Sequence, residues 1–190
     1  AVSAIRAGFT DVMIDCSSMP YAENVAKVKE VVKTAHAVNV GVEAELGHVG
    51  SGLSLSESDE EGTGDNVFTI PEEAVAFVAE TDVDALAVSI GTAHGAYKGT
   101  PSLRFELLQE LREKVKVPLV LHGGSGSGDE NLRKACKMGI CKLNIAYDLY
   151  RGGIDNLLAH DVSGNGAYGL YRLLGEGIQT AAEHAIDICG

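Results

Sequence analysis

The sequence predicts an α/β fold in which a parallel β-sheet is covered by helices. Three observations support this prediction. Short apolar segments alternate with longer amphipathic ones; the short segments are almost continuously apolar, as in strands buried on both faces; and each is followed by polar or glycine-rich residues, as at the carboxyl ends of parallel strands. The length of 190 residues suits a single domain over 1–190. This pattern fits both an open doubly wound sheet and a (β/α)8 barrel.

Five strands are predicted from the apolar segments and the turn residues that bound them. Their ends read DCSS, EAELGH, GTAHG, LHGGSG and NIAYD, which are polar, glycine-rich and include metal-binding side chains. The predicted strands are 11–18, 40–47, 84–94, 117–124 and 140–148.

Six helices are predicted between and after these strands. In the first, Val25, Val28 and Val32 recur at helical spacing, and the second begins with a proline and two acidic residues, which favour a helix N-terminus. The predicted helices are 23–38, 71–82, 102–115, 128–139, 149–160 and 168–188. The acidic, glycine-rich stretch 48–66 has no period and is predicted to be a mobile loop.

The composition excludes several classes of protein. Apolar content is 45% and charged content 22%, which is typical of a globular domain. No apolar run is long enough to suggest a membrane span. The net charge of −12 argues against nucleic-acid binding, which needs a basic face. The first residues lack signal-peptide features, and the four scattered cysteines favour a reducing, cytoplasmic location.

Metal-binding side chains occur at three predicted strand ends. His94 follows the third strand, His122 ends the fourth, and Glu45 lies in the second. Neutral imidazoles and carboxylates are the usual ligands of a catalytic zinc ion. The alternative is that both imidazoles hydrogen-bond carbonyl groups at the rim of the sheet, so the residues alone leave the question open.

A glycine-rich loop follows His122 directly. Residues 123–126 precede a helix whose first turn contains Asp129 and Glu130. Small residues let backbone N–H groups approach an anion, and a helix N-terminus favours negative charge. The loop after the next strand, which begins at Asn144, lies where barrel enzymes often complete a phosphate site. The alternative role for these glycines is a tight turn with positive φ.

The motifs VEAELG, LAVSIGTAHGAYKG, VPLVLHGGSG and KLNIAYD, in this order, resemble those of the class II, metal-dependent fructose-bisphosphate and tagatose-bisphosphate aldolases. The segment MIDCSSMPYAENVAKVKEVV resembles that family's fourth strand and the following helix. The resemblance implies a (β/α)8 TIM barrel that is incomplete here, with five strands present and the first three missing. The chain is thus expected to be the carboxyl-terminal portion, strands 4–8, and to be inactive alone.

The resemblance also implies roles for individual residues. His94 and His122 match two of the family's three metal-binding histidines, and Glu45 matches a glutamate that serves an alternative metal position. Asn144 matches the asparagine that contacts the reacting part of the substrate. The residues implied to hold phosphate are Gly95, Lys98, Gly123, Gly124, Ser125 and Tyr147.

The implied reaction is the reversible cleavage of a ketose 1,6-bisphosphate, fructose or tagatose, to dihydroxyacetone phosphate and glyceraldehyde 3-phosphate. Zn²⁺, alone or with a second divalent or monovalent cation, would polarise the ketose carbonyl, and no lysine Schiff base is needed. The family's catalytic aspartate lies upstream of residue 1, and the candidate proton-transfer glutamates are Glu57, Glu60 and Glu61. The resemblance further implies a homo-dimer or homo-tetramer.

Two departures keep alternatives open. Ala146 and Tyr147 stand where the family usually has a small polar residue or aspartate and then a phosphate-binding threonine. The family's catalytic aspartate and third histidine have no counterpart. These differences would suit a non-catalytic, aldolase-like barrel that acts as a binding or assembly module. A third possibility is a phosphate-binding barrel enzyme without a metal, in which His94 and His122 would share no ligand.

Overall fold

A five-stranded parallel sheet forms the centre of the molecule. The computed structural model describes residues 1–50, 68–95, 101–164 and 166–190. The strands are β1 (Asp11–Ile14), β2 (Gly41–Leu46), β3 (Ala85–Val88), β4 (Leu119–Leu121) and β5 (Ile140–Leu143). They lie side by side in chain order, and every neighbouring pair is parallel. The predicted α/β class is therefore confirmed.

The strand order distinguishes between the two predicted architectures. In a doubly wound sheet the spatial order of the strands reverses at a switch point. In a (β/α)8 barrel, strands that are consecutive in the chain are also neighbours in the sheet. Here the order β1-β2-β3-β4-β5 shows no reversal. The described residues therefore form one open sheet with the topology of part of a barrel.

Helices follow the strands and cover one face of the sheet. Their bounds are α1 (Val2–Arg6), α2 (Tyr21–His36), α3 (Pro71–Thr81), α4 (Phe105–Lys114), α5 (Asp129–Lys137), α6 (Tyr147–Leu158) and α7 (Ala167–Cys189). All six predicted helices are present. The short α1 was not predicted because its five residues are too few to show a helical period, and none of its side chains is fully buried. Within the described residues, no helix has the length and hydrophobicity that crossing a membrane requires.

The strands are shorter than predicted. The apolar run 84–94 predicts one long strand, but β3 ends at Val88. Gly91 then has a φ of +113°, and a Cβ atom there would lie 2.7 Å from the carbonyl oxygen of Ser102. The backbone therefore turns away from the sheet. In the same way, the predicted strand 140–148 is divided between β5 and the start of α6.

The hydrophobic core lies between the sheet and helices α2 to α5. On β2, Val42, Ala44 and Leu46 face the helices, and Phe77 and Leu108 meet this layer from α3 and α4. Because side chains alternate along a strand, the odd-numbered residues of β2 point to the opposite face. That opposite face carries the polar residues described next.

Candidate active site at the carboxyl ends of the strands

Four charged side chains lie on the face of the sheet opposite the helices. Glu43 and Glu45 alternate with the core residues of β2. His122 comes two residues after Val120 of β4, and Val120 is paired in register with Lys142 of β5. Strand register therefore brings these four residues to one face. We call Glu43, Glu45, His122 and Lys142 the polar face.

His122 is buried between two carboxylates. Its Nδ1 atom lies 2.7 Å from Glu45 Oε2, and its Nε2 atom lies 2.8 Å from Glu43 Oε1. Burial by itself lowers the pKa of His122, but the hydrogen bonds to Glu43 and Glu45 outweigh it and raise the pKa to about 9. With both ring nitrogens facing carboxylates, the ring carries two protons and donates from each nitrogen.

Lys142 joins this arrangement from β5. Its Nζ atom donates to Glu43 Oε2 over 2.6 Å, and its side chain remains 51% exposed while that of Glu43 is 10% exposed. Burial acts to raise the pKa of Glu43, but hydrogen bonds from His122 and Lys142 hold it below its ordinary value. Both oxygens of Glu43 are therefore used, one by each cation.

Glu45 is held from several directions. Its Oε1 atom accepts hydrogen bonds from Ser17 Oγ at 3.0 Å and from the Val49 backbone N–H at 3.1 Å. The Asn24 side chain donates to the Glu45 carbonyl oxygen at 3.0 Å, which ties the end of β2 to α2. Ser17 Oγ also lies 2.9 Å from Nδ1 of His48. The Glu45 side chain, 1% exposed, is thus fixed in place.

His94 lies beside His122 but is exposed. The two ring centroids are 6.1 Å apart, with 37° between the ring planes. The His94 backbone N–H donates to the Gly50 carbonyl oxygen at 2.8 Å, which joins the loop after β3 to the chain after β2. Two imidazoles bound to one zinc ion through bonds of about 2.1 Å have centroids about 5–6 Å apart. The separation of these rings is therefore close to that of two ligands of one ion.

The donor types fit zinc, but the described residues supply an incomplete set. Outside 51–67, 96–100 and 165, no three His, Cys, Asp or Glu side chains converge in a way that would hold a metal ion. Both ring nitrogens of His122 also face carboxylates. A metal held by His94 and His122 would need one of these hydrogen bonds to open and a further ligand from outside the described residues.

The two glycines after His122 are required by close packing of loops. Gly123 has a φ of +66°, and a Cβ atom there would lie 3.0 Å from the backbone nitrogen of Ala93. A Cβ atom on Gly124 would lie 2.9 Å from the carbonyl oxygen of Asn144. The loops after β3, β4 and β5 therefore interlock at these glycines. The tight-turn explanation, which the sequence left open, holds for Gly123.

Several polar groups of the loop 123–126, which was predicted to bind an anion, already form hydrogen bonds within the protein. The Gly124 N–H donates to the Asn144 carbonyl oxygen at 3.0 Å, and the Gly126 N–H donates to Asp148 Oδ2 at 2.9 Å. Ser125 Oγ accepts from the backbone N–H groups of Ala146 and Asp148 at 3.0 and 3.3 Å. An anion that used the Gly126 N–H would have to displace the Asp148 carboxylate.

One cleft of about 460 Å³ brings six of the predicted residues together. It lies between the ends of β3, β4 and β5 and is lined by His94, Gly95, Gly123, Ser125, Leu143, Asn144, Ile145, Ala146 and Tyr147. Tyr147 begins α6, and its side chain is half-exposed at the cleft. The predicted residues Glu57, Glu60, Glu61 and Lys98 lie outside the described residues.

The family model for class II fructose-bisphosphate aldolases matches residues 1–190. The chain belongs to this family. The family assignment predicted from the motifs is thus confirmed.

Three solved structures are similar to this chain. The YdjI aldolase of Escherichia coli K12 is 32% identical, with a TM-score of 0.84 over 100% of this chain. A candidate fructose-1,6-bisphosphate aldolase from Coccidioides immitis is 28% identical, with a TM-score of 0.83 over 98%. Fructose-bisphosphate aldolase of Campylobacter jejuni is 24% identical and supports the fold alone, with a TM-score of 0.74 over 95%. The chain spans 64%, 65% and 61% of these relatives, respectively.

Four residues of this candidate site have no role predicted from the sequence. Glu43, Lys142, Ser17 and His48 all contact the candidate ligands or their partners. The signal for Glu43 was available, since it precedes Glu45 by two residues and strand side chains repeat their direction every two residues. The contact of Lys142 depends on strand register, and that of Ser17 on the turn after β1, so neither had a sequence signal.

Proposed function

We propose that the protein to which this chain belongs is a zinc-dependent aldolase that reversibly cleaves a ketose 1,6-bisphosphate, fructose or tagatose. The products would be dihydroxyacetone phosphate and glyceraldehyde 3-phosphate. The observation that carries the proposal is a cleft lined by His94, Gly123, Ser125 and Asn144, which come from three different family motifs. A volume of about 460 Å³ lies within the range typical of small-molecule sites, about 300–1,000 Å³.

In this proposal His94 and His122 hold the zinc ion, and Glu45 serves an alternative metal position. Zinc, when bound, would supply Lewis-acid polarisation of the ketose carbonyl. Glu45 is fixed by hydrogen bonds from Ser17 and Val49, and His122 would keep its hydrogen bond to Glu43 when the one to Glu45 opens for the metal. That rigidity supports the assignment, because a metal site needs ligands whose orientation is set before the metal arrives.

The phosphate group would lie against the glycine loops. We propose Gly95, Lys98, Gly123, Gly124, Ser125 and Tyr147 as its contacts. The N-terminus of α5 follows this loop, and its dipole favours an anion. Asn144, at the end of β5 in the same cleft, would contact the reacting part of the sugar.

Proton transfer would require a carboxylate beyond those of the polar face. Glu57, Glu60 and Glu61 are proposed for this role, with the aspartate that the family carries upstream of the region matched here. Further proposals for the whole protein are a cytoplasmic location, a homo-dimer or homo-tetramer, and a second divalent or monovalent cation.

The test is an assay of the full-length protein with both bisphosphates, before and after complete metal removal by a chelator. We expect cleavage of at least one sugar, loss of activity on chelation, and recovery with zinc. His94→Ala and His122→Ala should each abolish cleavage, while His160→Ala, exposed just after the end of α6, should not. Activity that survives complete metal removal would contradict the zinc mechanism. Zinc binding without cleavage of either sugar would favour the non-catalytic module instead.

A further inference from the structure

We propose that Glu43 and Lys142 are positioning residues for His122: Lys142 holds the Glu43 carboxylate, and Glu43 holds the imidazole in its orientation for the metal. This inference rests on the proposed function, because it assigns a role to residues that touch a proposed zinc ligand. Neither residue is itself a proposed ligand or substrate contact.

Glu43 is the better of two candidates for orienting the His122 ring. A histidine that binds a metal commonly donates its other ring N–H to a carboxylate, which fixes the ring. His122 contacts two carboxylates, but Glu45 is proposed for an alternative metal position and already accepts hydrogen bonds from Ser17 and Val49. Glu43 accepts only from His122 and Lys142 among the bonds that the structure describes.

Lys142 supplies a positively charged hydrogen-bond partner for the buried Glu43 carboxylate. A buried carboxylate needs a partner for each oxygen and for its charge. Glu43 Oε1 is occupied by His122, and Oε2 receives the Lys142 ammonium at 2.6 Å. Glu43 and Lys142 are 99 residues apart and lie on β2 and β5. The ion pair therefore spans the polar face and stops the carboxylate from rotating away from the ring.

The experiment measures the zinc dissociation constant of the full-length protein by competition with a chromogenic chelator. The variants are Glu43→Gln, Lys142→Met, the double variant, and Lys142→Arg. Lys114→Met is the matched control, since Lys114 forms close ion pairs with Glu72 and Glu110 outside the polar face. Circular dichroism establishes that each variant is folded.

Removing an outer partner of a metal ligand commonly weakens metal affinity by about 10–100-fold. We expect a loss in this range for Glu43→Gln and a loss near its lower end, about tenfold, for Lys142→Met. Lys142→Arg should restore binding because it keeps the charge. In the Glu43→Gln background, Lys142→Met should add little, since Lys142 acts through Glu43.

Different outcomes separate this inference from the proposed function. If the unmodified protein binds zinc and cleaves a bisphosphate but Lys142→Met binds zinc equally well, the positioning role is wrong. The same holds if Lys114→Met weakens zinc binding as much, or if the two losses in the double variant simply add. If the unmodified protein binds no zinc, the proposed function fails and this inference fails with it.

Discussion

At the scale of single residues, His122 is the centre of the site. It is buried, its two ring nitrogens face two carboxylates, and it lies next to the exposed ring of His94. Replacing one buried partner of such an arrangement leaves an uncompensated charge, which is more costly than losing an exposed ion pair. The protonation of His122 should therefore affect the free energy of unfolding of the metal-free protein.

The stability of the zinc-free protein should fall as the pH rises above neutrality. The pKa of His122 is raised to about 9, so the folded state holds a proton that the unfolded state, with an ordinary pKa near 6.5, releases earlier. This contribution is fully present below about pH 6.5 and is lost as the pH passes through about 9. Urea unfolding of the chelator-treated, full-length protein between pH 6 and 10 measures it.

The matched variants for this pH series are His122→Gln and His160→Gln. The first removes the titrating group and should flatten the loss of stability between pH 6.5 and 9. His160 is exposed near the end of α6, so its replacement should leave the profile unchanged. An unaltered profile in His122→Gln would show that this ring does not carry the raised pKa.

At the scale of elements, the packing of α6 against α7 depends on glycine. Residues Gly152 and Gly153 of α6 meet Gly177 of α7. A Cβ atom on Gly177 would lie 2.8 Å from the Gly153 Cα atom and would also meet the Gly152 carbonyl oxygen. These neighbours are backbone atoms, so an added methyl group would force the two helices apart.

We expect Gly177→Ala to lower the free energy of unfolding by about 1–3 kcal/mol, the usual range for overpacking. Gly175→Ala is the control, because Gly175 lies in the same helix and a Cβ atom added there would have no neighbouring atom within 4 Å. There the better helix propensity of alanine should stabilise the protein by about 0.5–1 kcal/mol. Urea unfolding measures both, and equal effects of the two variants would contradict this account of the interface.

At the scale of the whole molecule, the parallel order of the strands brings the ends of β2 to β5 to one edge. The proposed zinc ligands come from the ends of three of these strands. An ion bound there would link parts of the chain far apart in sequence. A ligand that binds only the folded state stabilises it by mass action.

Zinc should therefore raise the thermal stability of the full-length protein. At a free zinc concentration of 100 times the dissociation constant, the expected gain is about 2.7 kcal/mol. His122→Ala should lose most of this gain, and His184→Ala should keep it, because His184 pairs with Asp129 between α7 and α5, away from the polar face. Differential scanning calorimetry with and without chelator measures the shift. An equal gain in His122→Ala would place zinc elsewhere.

The helices and strands were predicted from local patterns, and their errors have local causes. Val25, Val28 and Val32 recur with the helical period and are buried in α2 as expected. The run 84–94 was too long for its strand because apolar content does not reveal the turn at Gly91. The predicted strand 140–148 was likewise too long, because α6 begins at Tyr147.

The site was predicted in part. The motifs identified His94, Gly123, Ser125 and Asn144, and these line one cleft. The predicted anion loop proved to use the amides of Gly124 and Gly126 within the protein. Hydrogen bonds between loops depend on the distance between those loops. The residue pattern of a single segment does not predict that distance.

The sequence by itself determined the α/β class, the order of helices and strands, and the motifs that mark the family, because each depends on residues close together in the chain. Only the tertiary structure decided that Lys142 meets Glu43 and that Glu43 meets His122. Those contacts join residues 99 and 79 positions apart. They follow from parallel strand register, which is set when the whole sheet is assembled.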